Sequence, residues 1–255
     1  MRKNKAVFRA GKPKSWLVKL KIGLEWAFLL SALLVVIMPF TGMNTFARGN
    51  DFNRVFAGTI PVSILQNIGN RPEEQLQLQN KVEEIADSVS SEDSDVKKIK
   101  AVHDYLVRNT QYDYANYLNQ TVPMVSYTPY GALIQNVAVC QGYSMAFQMI
   151  MEELGIPCEI VVSDEMKHAW NMVQVDDEWY HVDTTWDDPV PDLKDHVSYD
   201  NFLISDARIQ DEEHQYTNWF IRNEDATIQE APKATSTKYD SLSQRDWMYS
   251  KEYSE

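Results

Sequence analysis

Apolar residues recur at helical spacing in three stretches of the chain. From Pro72 onward Leu78, Val82, Ile85 and Val89 share one face, Asn70 is placed to cap and Pro72 suits a first turn, until the acidic, serine-rich run Ser88 to Asp95 ends the pattern. A second helix is expected over about Asp95 to Asn109, where Val96, Ile99, Val102, His103, Leu106 and Val107 form a stripe opposite Lys97, Lys98 and Lys100. The third runs from Gln141 to Leu154 on Tyr143, Ala146, Phe147, Ile150, Met151 and Leu154, with Gly155 as its stop, so Cys140 falls at a helix N-terminus. Beyond Pro157 the pattern becomes that of strands. Cys158 to Val162 is a β-branched run, and Ala169 to Val175 and Trp179 to Thr184 flank a polar Asp176-Asp177-Glu178 link, which reads as a hairpin. If the turn is Asp176 and Asp177 alone, opposite positions sum to an odd number, and His168 and Asp183 project from one face nearly across from each other. A three-residue bulged loop would reverse that parity, and the link has no glycine to decide it.

Other regions carry less pattern. Tyr112 to Tyr130 holds many tyrosines, with Pro123 and Pro129, and reads as a loop leading to the Cys140 helix. Its rings either line an approach to the thiol or pack beneath a long loop. Residues 48–71 read as a linker and 72–206 as the main folded domain. The remainder, 207–255, reads as a C-terminal extension: Asp211 to His214 and Gln215 to Arg222 could form a last helix or strand, and the polar run Ala231 to Ser243 is expected to be mobile. Trp247, Tyr249 and Tyr253 either dock that tail back or serve a partner.

The N-terminal 47 residues differ in kind. The basic segment Arg2 to Lys21 precedes Ile22 to Phe40, which is apolar except for Glu25, and Thr45-Phe46-Ala47 offers a small-residue cleavage pattern. This is a signal peptide or a membrane anchor, and positive-inside logic places the rest of the chain outside the cytoplasm, secreted or membrane-anchored. The net charge of −13 hides an asymmetry, because residues 1–47 hold eight Lys/Arg against one Glu and the rest holds 16 against 36, or −20. So acidic a body argues against nucleic acid and against adhesion to anionic lipid. With 255 residues, 44% of them hydrophobic, the chain can build one sizeable core plus a tail.

Three residues in this framework could do nucleophilic chemistry together. A cysteine reacts as thiolate, which needs a neighbouring base and a group that orients the base. Cys140 sits where a helix N-terminus favours negative sulfur; His168 and Asp183 sit on the hairpin. Two other histidines compete: His103 reads better as a hydrogen-bonded core residue, and His181 shares a strand face with Asp183. A Cys140–Cys158 disulfide is the alternative use of the two cysteines. A helix over Gln141 to Leu154 spans about 21 Å, whereas bridged Cα atoms lie about 4.4–6.8 Å apart, which opposes it. Asp187, Asp188, Asp192 and Asp195 could bind calcium, but their spacing lacks the regularity of a hand-type loop, and a solvated loop is preferred. No Cys/His spacing points to zinc and no glycine-rich loop to a nucleotide, so no cofactor is expected.

These residues stand in four ordered blocks: Cys140-Gln141-Gly142-Tyr143, Leu154-Gly155-Ile156-Pro157, His168-Ala169-Trp170-Asn171, and Trp179-Tyr180-His181-Val182-Asp183-Thr184-Thr185-Trp186-Asp187-Asp188-Pro189. The set resembles the transglutaminase-like superfamily of papain-like cysteine enzymes, bacterial exported type, over roughly Val96 to Asp206. The resemblance implies an α+β fold in which N-terminal helices, one carrying the nucleophile at its N-terminus, pack on an antiparallel sheet. It implies Cys140 as nucleophile, His168 as base and then acid, and Asp183 as the orienting group. The expected chemistry is acyl transfer from, or hydrolysis of, a glutamine carboxamide or peptide bond in a protein or peptide substrate, through a thioester. The backbone N–H of Cys140 is the natural first oxyanion donor, with Gln135 or a nearby tyrosine as the second. The competing reading is a catalytically silent surface scaffold that retains the fold.

Overall fold

The computed structural model describes residues 71–191, 193, 196–210, 218–223, 227–250 and 252–253. The expected signal or anchor, most of the linker, Asn70, and Asp192 and Asp195 lie outside the described residues.

Three helices carry one side of the core: α1 (Pro72–Val89), α2 (Asp95–Asn109) and α4 (Cys140–Glu153). Ser94 caps α2 by accepting from the Lys97 N–H, which is why the helix begins after the serine-rich break. The periodic faces are the buried ones. Leu78, Val82 and Ile85 of α1, Ile99, Val102 and Leu106 of α2, and Tyr143, Phe147, Ile150 and Met151 of α4 join one apolar cluster. Full burial is worth about 1.5–3 kcal/mol for each large side chain, so this cluster fixes the helices far more firmly than propensity does.

The sheet has six antiparallel strands: β3 (Cys158–Ser163), β4 (His168–Val175), β5 (Glu178–Val182), β6 (Phe202–Ile204), β7 (Phe220–Arg222) and β8 (Ile228–Glu230), in spatial order β6-β5-β4-β3-β7-β8. Helix α4 packs on β3 and β4. Val173 and Val175 of β4 face the helices, while Trp170 and Met172 join a second cluster with Val161, Ile204, Trp219, Ile221, Ala231 and Ala234. With both faces covered, β4 is buried almost throughout, unlike a half-exposed strand. The β4–β5 link is a two-residue turn: Val175 pairs with Glu178, and Asp176 and Asp177 take φ of 52° and 65°. That is type I′ geometry, met here by two aspartates in place of glycine. The parity argument for His168 and Asp183 therefore holds.

Between α2 and α4 the chain is not the plain loop its irregular pattern predicts. It forms β1 (Gln111–Tyr112), the short α3 (Tyr114–Asn119), a 3₁₀ turn (Met124–Tyr127), a π turn (Gly131–Gln135) and β2 (Val137–Ala138), with β1 and β2 paired in parallel. Two-residue strands leave no period in a sequence, which is why this pairing escapes pattern reading.

The polar run Ala231 to Ser243 is packed: Ala231, Ala234 and Tyr239 are buried, Ser236 accepts from the Tyr180 hydroxyl (2.7 Å), and Asp240 accepts from the backbone and hydroxyl of Ser205 (2.9 and 2.6 Å). Beyond it α6 (Gln244–Tyr249) follows the single turn α5 (Asp206–Ile209) in chain order and opens with a Ser243/Asp246 capping box. Trp247 is buried against Tyr199, Phe202, Tyr239 and Tyr253, so it docks the tail, whereas Tyr249 is exposed.

Candidate active site

Cys140 is the first residue of α4, and Val139 is its N-cap. What holds this turn in place lies next to the cysteine. The Val139 N–H donates to Ser126 O (2.8 Å), and a Cβ on Gly142 would sit 2.7 Å from Ser126 O and 3.0 Å from Thr128 O. The glycine of the CQG block is thus a site of close backbone approach. Gly142→Ala would gain about 1 kcal/mol of helix propensity. The clash is with backbone oxygens that cannot swing away, and overpacking of this kind costs about 1–3 kcal/mol. The expected result is a net loss of stability in urea unfolding together with slower alkylation of Cys140. A variant at least as stable as wild type would contradict the tight contact.

Ser144 and Asn171 stitch the nucleophile helix to the histidine strand. Ser144 Oγ reaches the carbonyls of Cys140 (2.9 Å) and Ala169 (3.0 Å), and Asn171 Nδ2 donates to Ser144 O (3.0 Å). His168 opens β4, opposite Ser163 across a four-residue turn in which Lys167 takes φ of 54°. Asp183 follows the last residue of β5, one position past the regular pairing, and its N–H donates to Asn201 O (2.9 Å).

The structure brings the three together. His168 Nε2 lies 2.5 Å from Asp183 Oδ2, and the imidazole lines the same cleft as Cys140, which contributes to raising its pKa. Asp183 Oδ1 accepts from the N–H groups of Thr185 (3.0 Å) and Trp186 (3.1 Å). The imidazole stacks on Trp186 at 4.7 Å and Trp170 at 5.6 Å between ring centroids, an arrangement that favours its cationic form. Burial alone would disfavour the charge on His168. The charge and hydrogen bond of Asp183, followed by those of Cys140, outweigh it, and the pKa is pushed up to about 10.

That shift has a sign in pH. The folded protein holds the His168 proton more tightly than an unfolded chain does, at about 10 against the ordinary 6.5. The stability it contributes is therefore complete below about 6.5 and is lost as pH climbs through about 10. The imidazolium should therefore be lost near pH 10, as measured by NMR titration of the His168 ring. A midpoint near 6.5 would contradict the pairing with Asp183.

His103 and His181 are structural. His181 Nδ1 accepts from Trp170 Nε1 (3.0 Å), which leaves Nε2 as the N–H donor to Asp206 Oδ1 (2.9 Å). His103 is fully buried, with Nδ1 3.2 Å from Asp104 Oδ1 and Nε2 3.1 Å from Asp187 Oδ2. Burial disfavours its charge, but the two carboxylates raise its pKa nonetheless. Asp104 also accepts from Lys100 (2.9 Å) and from the Tyr199 hydroxyl (2.8 Å). This network clamps the loop that carries Asp183. Asp187 Oδ1 accepts from the Asn201 N–H (2.9 Å), and the Asp187 N–H donates to Asp183 O (3.1 Å).

The expectation of a solvated acidic loop is corrected for two of its four members. Asp187 is buried in that clamp, and Asp188 is buried with its Oδ2 accepting from the Tyr143 hydroxyl at 2.5 Å. Alternation of charge along a sequence cannot reveal carboxylates whose partners lie far away in the chain. Cys140 and Cys158 form no disulfide with each other, as the helix between them requires.

Cys140 and His168 line a cleft of about 630 Å³. Tyr112, Tyr114, Tyr117 and Tyr127 contribute one set of its residues, Met166 and Lys167 come from the β3–β4 turn, and Trp186 and Val190 come from the loop after Asp183. Of the two uses considered for the tyrosines, lining the approach to the thiol is what these four do. Gln135 is exposed and contributes nothing to the cleft.

Residues 83–184 match the family model described as the Transglutaminase-like superfamily. Among curated proteins it is similar to the kyphoscoliosis peptidases of Homo sapiens and Mus musculus, each 24% identical over 116 residues, 40% of this chain and 17% of the relative. The match thus spans about a sixth of those relatives' length. Among solved structures it resembles a TGase (22% identity, 48% of this chain, 35% of that chain, TM-score 0.41). It also resembles a candidate cysteine protease from Cytophaga hutchinsonii (16% identity, 48% of this chain, 42% of that chain, TM-score 0.34).

Proposed function

We propose that this protein is an exported thiol enzyme acting on amide bonds, with Cys140 as nucleophile, His168 as proton donor and acceptor, and Asp183 as the residue that orients and charges His168. The observation that carries this reading is the His168 ring bonded to Asp183 and sharing an open, tyrosine-lined cleft with Cys140.

In the reaction, the Cys140 sulfur attacks the carbonyl carbon of a glutamine carboxamide or a peptide bond. The C–S bond forms as the carbonyl electron pair moves onto oxygen. Collapse of that intermediate breaks the C–N bond, and the leaving nitrogen takes the proton held on His168, leaving a thioester. The now neutral imidazole takes a proton from the acceptor as it attacks the thioester. A lysine amine yields a cross-linked product, and water yields hydrolysis. The substrate class that fits is a protein or peptide segment able to lie among the cleft's aromatic rings. The basic-then-apolar order of residues 2–40 supports placing this chemistry outside the cytoplasm.

The test compares wild type with Cys140→Ala on a mixed peptide library containing a free amine, with cleaved and amine-joined products read by mass spectrometry. Wild type alone should generate products of one or both kinds. Products equal in both proteins, or absent from both across the library, would favour the silent scaffold instead.

A further inference from the structure

Attack on a carbonyl places negative charge on its oxygen, and a second donor besides the Cys140 N–H is required to hold it. Gln135 is exposed and away from the cleft, so it cannot reach a bound carbonyl oxygen.

We infer that the hydroxyl of Tyr112 is the side-chain donor to this oxyanion, an inference that rests on the acyl chemistry proposed for Cys140. The placement comes from the backbone. Parallel pairing of β1 with β2 sets Tyr112 opposite Ala138, and the Asp113 N–H donates to Ala138 O at 2.9 Å, so the ring is fixed level with the residue two positions before Cys140. Asp113 is itself buried and locked, accepting from Ser126 Oγ (2.7 Å) and Asn116 Nδ2 (2.8 Å). These bonds tie Tyr112 to the 3₁₀ turn that also receives the Val139 N–H. The Tyr112 ring packs edge-on against Tyr117 at 6.0 Å and lines the cleft with Cys140. Its hydroxyl hydrogen-bonds no group among the described residues, and so is available to a ligand.

Tyr112 also stays a donor throughout the working pH range. Burial, followed by the nearby negative groups with Cys140 first among them, holds its pKa well above the ordinary value for a phenol. Tyr112, Cys140 and His168 line one cleft, which places the phenol beside the reacting atoms. Tyr127 also feels Cys140, but not Asp183, and is the natural comparison. In the step itself the proton remains on Tyr112. The O–H donates to the oxygen as the C–S bond forms, and the donor is released when the carbonyl re-forms and the leaving group departs.

The experiment sets two reactions of the same thiol side by side. Acylation of Cys140 by p-nitrophenyl acetate passes through an oxyanion; alkylation by iodoacetamide displaces iodide at a saturated carbon and does not. Tyr112→Phe should slow acylation by about 10²-fold, the usual loss for one oxyanion donor, while leaving alkylation unchanged, and Tyr127→Phe should slow acylation far less than Tyr112→Phe does. The unchanged alkylation rate also reports that the site has folded. Acylation of Tyr112→Phe at the wild-type rate, equal losses in both reactions, or a loss carried by Tyr127→Phe instead would each overturn the assignment. A wild-type Cys140 no more reactive toward iodoacetamide than the urea-unfolded chain would remove the triad reading, and this inference with it.

Discussion

Replacing Asp183 with alanine should lower the stability of the folded protein by about 3–5 kcal/mol, the cost of removing one partner from a buried ion pair, measured as a fall in the urea midpoint. The carboxylate accepts three hydrogen bonds, from His168 Nε2 and from the N–H groups of Thr185 and Trp186, and is itself fully buried. Alanine leaves all three donors without their acceptor. Asp183→Asn keeps an oxygen for the two backbone donors and should therefore lose less stability, yet it removes the charge that holds the proton on His168. Once that charge is gone, burial opposes the proton on His168 with only Cys140 to offset it, and the pKa falls. Both variants should therefore move the alkaline limb of acyl transfer, where the imidazolium is lost, down from about 10. An alanine variant as stable as wild type, or an unmoved limb, would mean that Asp183 neither braces nor charges the site.

Replacing His168 with alanine should slow acyl transfer at pH 7 by at least about 10²-fold, within the range for loss of a positioned acid–base group. The loss should depend on the leaving group. p-Nitrophenolate departs without a proton, whereas an amine must receive one, so turnover of an amide should fall further than acylation by p-nitrophenyl acetate. Equal losses on ester and amide would confine His168 to activating the thiol and deny it the acid role. His181→Ala offers the contrast. His181 is fixed between Trp170 and Asp206, and its loss should alter stability without this leaving-group dependence.

Much of the site can be read from the linear chain because its parts begin or end regular elements. The helical period starting beside Cys140, the two-residue turn at Asp176 and Asp177, and the parity of the hairpin together bring the His168 ring to Asp183. What supports the triad is harder to read. The His103–Asp187 contact joins residues 84 positions apart, and the Tyr143–Asp188 contact joins residues 45 apart. A histidine inside an apolar stripe and a pair of aspartates in a loop each have ordinary explanations when taken singly. Their significance appears only when the loop after Asp183 folds over α2. The β1–β2 pairing is hidden for a different reason: two residues per strand are too few for alternation to register. With it goes the position of Tyr112. The Gly142 contact lies between these cases, since a glycine just inside a helix conflicts with propensity and so marks a packing constraint.

The most direct measurement is the rate at which iodoacetamide alkylates each cysteine at pH 7, followed by mass spectrometry in the folded protein and in the urea-unfolded chain. If the imidazolium of His168 serves the sulfur, Cys140 reacts faster folded than unfolded, while Cys158, buried against β4, reacts more slowly folded. A Cys140 that reacts no faster in the folded protein than in the unfolded chain would show an ordinary thiol at the head of α4 and contradict the account.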